Sequence, residues 1–116
     1  MKDDYYILAN IDEMPSRIND STIYTLTWLN ADTLEQYQTI VDDSYDNYKR
    51  CGWIKIVHNP YYHGLYTNIK ETKRTTKKGI PVLSADSKAH IEALMTPEQI
   101  VEYVEQRHQE LKGIAL

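Results

Sequence analysis

The sequence predicts an α+β domain: a mainly antiparallel sheet of four to five strands, packed on one face by a long central helix and two C-terminal helices. Three observations point there. Residues 5–11 and 22–29 alternate in polarity, apolar residues from Leu34 to Tyr48 recur at helical spacing, and Thr96-Pro97-Glu98-Gln99 has the form of a helix start. Strands that precede terminal helices favour an antiparallel sheet with its helices gathered on one side.

In Tyr5–Ile11, Tyr5, Ile7, Ala9 and Ile11 share one face of a strand, with Tyr6, Leu8 and Asn10 on the other. Pro15, Asn19 and Asp20 then mark a polar connection. Thr22–Leu29 follows, where Tyr24, Leu26 and Trp28 alternate with Thr25 and Thr27. A loop this short suits an antiparallel pair better than a parallel crossover.

The predicted central helix begins at Asp32 and Glu35, an N-cap and N3 pair, with Asn30 as an alternative cap. Its stripe is Leu34, Tyr37, Val41, Tyr45 and Tyr48, and Gly52 ends it behind the cations Lys49 and Arg50. Trp53–His58 is a third strand, Leu65–Ile69 a fourth, and Ile80–Leu83 a fifth, placed at an edge by Pro81. Thr72–Gly79 has no apolar side chain and reads as an exposed, mobile hairpin loop. Ser87–Met95 is expected as a short helix, and a second starts at Thr96 with Ile100, Val101, Val104 and Leu111 buried and Gly113 as its stop.

A length of 116 residues suits one domain spanning 1–116. With ten Tyr and no Phe, tyrosine must supply most of the aromatic packing. Cys51 is the single cysteine, so no internal disulfide forms and a reducing, cytoplasmic setting is expected. No apolar run matches a signal peptide or a membrane span, and no lipidation cysteine ends the chain, so no membrane partner is expected.

The net charge of −4 hides a segregated layout. Residues 1–48 hold ten acids and two bases, residues 49–90 nine bases and two acids, and residues 91–116 five acids and two bases. Lys70, Lys73, Arg74, Lys77 and Lys78 fall close together beside one acid, Glu71, and Tyr61, Tyr62 and Tyr66 lie just upstream. Cations that neutralise phosphate beside aromatic rings that stack on bases are what nucleic acid or a nucleotide requires, so these eight residues are the candidate ligand site of a small non-enzymatic binding protein. The same lysines also suit an ordinary solvated edge that resists strand-to-strand aggregation. Lys78-Gly79 lacks the upstream glycine of a phosphate-binding loop.

Asp32, Glu35, Asp42, Asp43 and Asp46 form the alternative site, an acidic helix face that imitates a phosphate backbone. On this reading the chain is a protein–protein inhibitor or adaptor, such as one of a viral accessory type, that fills a basic cleft on a nucleic-acid-handling partner. A third reading is a hydrolase-type enzyme that uses His58 and His63, with Asp86 or Tyr62 as a neighbour. The spacing of Cys51, His58 and His63 does not match a zinc site, and no metal or cofactor is expected. Ser84-Ala85-Asp86-Ser87 is read as a cap for the following helix, with anion binding by its backbone as the alternative. The tyrosine content, edge strands and the tail Ile114-Ala115-Leu116 make a homodimer possible.

Overall fold

A computed structural model describes residues 5–18, 20–42, 63–85 and 87–114. Among the described residues, seven strands form one mixed sheet: β1 (Tyr6–Pro15), β2 (Thr22–Asn30), β3 (Gln36–Asp42), β4 (Gly64–Thr67), β5 (Glu71–Thr75), β6 (Pro81–Leu83) and β7 (His90–Leu94). The described helix is α1 (Pro97–Ile114). The spatial order is β5-β6-β3-β2-β1-β4-β7, antiparallel throughout except where β6 meets β3 in parallel at Gln38↔Val82. The expected sheet of four to five antiparallel strands under three helices is therefore corrected on strand number, direction and helix content.

Two segments that read as helix are strands. Tyr37, Thr39 and Val41 alternate inward along β3, where the central helix was expected to run. A spacing of four, as between Tyr37 and Val41, fits period 2 as well as period 3.6. What excludes a helix start is the backbone: Leu34 has φ 61°, in the left-handed region. Asn30 caps a turn here instead, its Oδ1 accepting from the amides of Asp32 and Thr33 at 2.9 and 3.0 Å. In place of the Ser87–Met95 helix, β7 pairs with β4. The stretch expected as a loop after Glu71 is β5 and its hairpin turn.

The expected strands at 22–29 and 80–83 form, and the one at 65–69 is shortened to Gly64–Thr67. Helix α1 starts where expected: Thr96 Oγ1 accepts from the Gln99 amide at 3.2 Å while the Thr96 amide donates to Gln99 Oε1 at 2.9 Å. It runs one residue past Gly113, and Val101 is 55% exposed rather than buried. The predicted strand at 53–58 and the rest of the predicted central helix lie outside the described residues.

A bulge reverses the facing of β1 midway. Leu8 pairs with Trp28 and Asn10 with Thr27, so Ala9 is the extra residue. Before it, Tyr6 and Leu8 face the main core while Ile7 faces α1; after it, Ile11 joins the main core. Ile7 and Ile11 thus lie on opposite faces, not on the shared one that simple alternation predicts.

The sheet curls. Five inter-strand spacings separate β4 from β5 in the sheet order, which is roughly 24 Å in a flat sheet. The chain covers the gap from Thr67 to Glu71 in four residue steps, at most about 14 Å. Asn68, at φ 63°, turns the chain sharply out of β4. The two ends of the sheet are then tied together: the Ser84 amide donates to Lys70 O at 2.7 Å, the Lys70 amide to Ser87 Oγ at 2.8 Å, and Asn68 Nδ2 to Lys88 O at 2.8 Å. Ser84 and Ser87 thus belong to a seam rather than to a helix cap.

Inside the curl lie Tyr6, Leu8, Tyr24, Leu26, Trp28, Tyr37, Val41, Tyr66, Ile69 and Leu83. Edge-to-face ring pairs Tyr6–Tyr37 and Trp28–Tyr66, with centroids 5.3 and 5.2 Å apart, fill it in the way that the absence of Phe requires. The indole N–H of Trp28 donates to Thr39 Oγ1 at 2.9 Å, so the polar atom that the interior must accept is satisfied. On the outer face, Ile100 of α1 packs with Ile7 and Ala31, bordered by Leu29, Leu65, Met95, Tyr103 and Val104.

Candidate nucleic-acid interface

The cationic run occupies a stapled β-ribbon. Pairing of Glu71 with Leu83 and of Thr75 with Pro81 leaves two more residues on β5 than on β6, so Lys73 and Arg74 ride on a bulge. The Thr72 hydroxyl holds that bulge by donating to Val82 O at 2.8 Å and accepting from the Arg74 amide at 3.1 Å. Beyond it, the Thr76 amide donates to Ile80 O and the Gly79 amide to Thr76 O, both at 2.9 Å. Gly79, at φ 83°, takes the left-handed position that closes this tight turn, and beyond its two chain neighbours no atom lies within 4 Å of where its Cβ would stand. Thr76 Oγ1 also accepts from the Ile80 amide at 3.2 Å. Lys77 and Lys78 form the tip of a built turn.

Lys70, Lys73, Arg74, Lys77 and Lys78 are all exposed. Among the described residues Arg107 pairs with Glu110 at 2.8 Å and His90 lies 4.0 Å from Glu92, and neither contact touches the ribbon. Glu71, the acid within the run, is drawn to the Tyr6 hydroxyl, which donates to its Oε1 at 3.2 Å. The ribbon therefore presents positive charge with its acid engaged by β1.

That carboxylate also acts on the core. The Tyr37 hydroxyl, 3.4 Å from Glu35 Oε2, has its pKa raised to about 12, first by burial and then by the negative charges of Glu71 and Glu35.

Of the other candidate ligand residues, Tyr66 is 1% exposed and packs edge-on against Trp28, so it has no face for a base. Tyr61 and Tyr62 lie outside the described residues. The alternative acidic set does not share a helix face: Asp32 and Glu35 border the β2–β3 turn, Asp42 ends β3, and Asp43 and Asp46 lie outside the described residues. His63 Nδ1 lies 3.2 Å from Leu8 O as a structural tie between the approach to β4 and β1, and His58 lies outside the described residues. Among the described residues no three His, Cys, Asp or Glu side chains gather to hold a metal. No described helix is long and apolar enough to cross a membrane.

A second feature is a cleft of about 180 Å³ lined by Asp32, Tyr103, Gln106, Arg107 and Glu110. Two of its polar side chains already bind backbone: Arg107 Nε donates to Asp32 O at 2.7 Å and Tyr103 OH to Ala31 O at 3.1 Å. Burial, then the charge of Asp32, raises the Tyr103 pKa. The cleft is the docking contact of α1 on the β2–β3 turn.

The cations were visible in the sequence. The residues that present them, Thr72 and Thr76, were not, although Gly79 after two lysines is a turn signal. No family model matches the chain, and neither a curated protein nor a solved structure matches it.

Proposed function

We propose that the chain is a non-enzymatic binding protein that engages a phosphate-bearing partner, nucleic acid or a nucleotide, through the β5–β6 ribbon. The observation that carries this reading is the set of five exposed cations on a stapled hairpin, without a carboxylate partner among the described residues. Lys73, Arg74, Lys77 and Lys78 neutralise phosphate, and Lys70 extends the field toward the seam. The hydroxyl staples hold these side chains' backbone in place before a ligand arrives, which lowers the ordering cost of binding.

The test is the joint replacement Lys73→Ala, Arg74→Ala, Lys77→Ala and Lys78→Ala. Fluorescence anisotropy with labelled oligonucleotides and nucleotides at low salt should show binding by the native chain and none by the variant. All four side chains are exposed, so the melting temperature should stay unchanged. Equal affinity of variant and native chain would refute the reading.

A further inference from the structure

We infer that the ligand of the ribbon is double-stranded DNA, gripped along its backbone with the hairpin in the major groove; this rests on the nucleic-acid reading above. Three features of the ribbon lead there. The first is what it lacks. From Thr67 to Glu102 the sequence contains no Phe, Trp or Tyr, and Tyr66 is enclosed in the core. Single-strand binding draws much of its energy from bases stacked on aromatic faces, and this ribbon offers none.

The second feature is the placement of charge. The cations fall in two pairs, Lys73-Arg74 on the bulge and Lys77-Lys78 at the tip. Lys73 and Lys77 are four residues apart, at most about 13 Å along the backbone, and the reach of their side chains adds to that. The major groove of B-form DNA is about 12 Å wide, admits a two-stranded ribbon and carries phosphates on both rims. One pair can therefore serve each rim. A single nucleotide carries its phosphates in one short chain at one end, whereas a duplex presents phosphate on both sides of an inserted ribbon. The corresponding groove of A-form RNA is too deep and narrow for side chains to enter.

The third feature is shape. The hairpin is joined to the rest of the sheet by the β3–β6 bridge at Gln38↔Val82, and its tip, Thr76–Ile80, extends past the last β5–β6 pairing at Thr75↔Pro81. A projecting turn whose backbone is already bonded internally is suited to insertion.

The experiment is anisotropy of the whole chain against a DNA duplex of about 20 base pairs, each of its separate strands and the RNA duplex of the same sequence, at roughly 50 to 200 mM salt. The DNA duplex should bind at least roughly tenfold tighter than the other three. With four phosphates neutralised, the slope of log affinity on log salt should be about −3.6, a loss of roughly 150-fold over that range. Lys77→Ala with Lys78→Ala should make the slope shallower by about 1.8. Equal or tighter binding of a single strand or of the RNA duplex would overturn this inference and leave the broader reading intact. Absence of salt-sensitive binding to all of them, with nucleotides also failing to bind, would remove both.

Discussion

The hydroxyl of Tyr6 donates to the carboxylate of Glu71 at 3.2 Å, although β6, β3 and β2 stand between their two strands in the sheet order. A contact of this kind exists only because the sheet bends round on itself. It links the aromatic interior to the first residue of the cationic ribbon.

This bond should be measurable as a coupling. Tyr6→Phe and Glu71→Ala, combined in a double-mutant cycle by urea denaturation, should give an interaction energy of about 1 kcal/mol, since a charged acceptor strengthens the bond while partial exposure weakens it. An interaction energy of zero would mean that the sheet ends are held by the shared core and by the seam at Lys70, Ser84 and Ser87 without help from this bond.

Alkaline pH should act through Tyr37. Its folded pKa of about 12 lies above the ordinary 10.0, so the folded chain keeps a proton that the unfolded chain has lost. The associated stability is complete below pH 10 and disappears as pH rises from 10 to about 12. Ultraviolet titration should show Tyr37 ionising late, with Tyr103 also above the ordinary value. Glu71→Gln should bring that ionisation to lower pH, and Tyr37→Phe should abolish it.

Gly64 should tolerate no side chain. A Cβ at this position would overlap the carbonyl oxygen of Ala93 across the β4–β7 pair. Because that atom is backbone, relief requires the strands to move apart. Gly64→Ala should therefore cost about 1–3 kcal/mol, read as a lowered denaturation midpoint with an unchanged slope.

At Leu34 the expected sign is reversed. Its φ of 61° is a conformation that a branched apolar side chain adopts at a cost of about 1–2 kcal/mol. Leu34→Gly should raise stability by a fraction of that, after the lost contacts of a half-buried side chain are subtracted. A thermal melt that shifts downward would show that those contacts outweigh the backbone strain.

The parts of the fold that the sequence discloses are those written in local chemistry. Alternation over Thr22–Leu29 marks β2, and the reciprocal Thr96–Gln99 cap marks the start of α1. β3 is ambiguous because Tyr37 and Val41 satisfy two periods at once, and the deciding fact, the positive φ of Leu34, follows from the turn as a whole. β5 is illegible for a different reason: as an edge strand with every residue but Thr72 exposed, it has no apolar pattern to read. The parallel contact of β6 with β3 is long-range and leaves no local mark. The candidate site divides the same way. Its charges are plain in the sequence, whereas the burial of Tyr66 follows from pairing with Tyr6, which only the assembled sheet specifies.

The extra residue at Ala9 inverts the parity of β1, and a substitution scan along that strand would carry its imprint. Replacing apolar side chains with charged ones should be punished on the main-core side at the even positions Tyr6 and Leu8 and, past the extra residue, at the odd position Ile11. A strand that keeps two opposite rhythms in one stretch of chain cannot slide along its neighbour by even one step without turning one of its halves inside out.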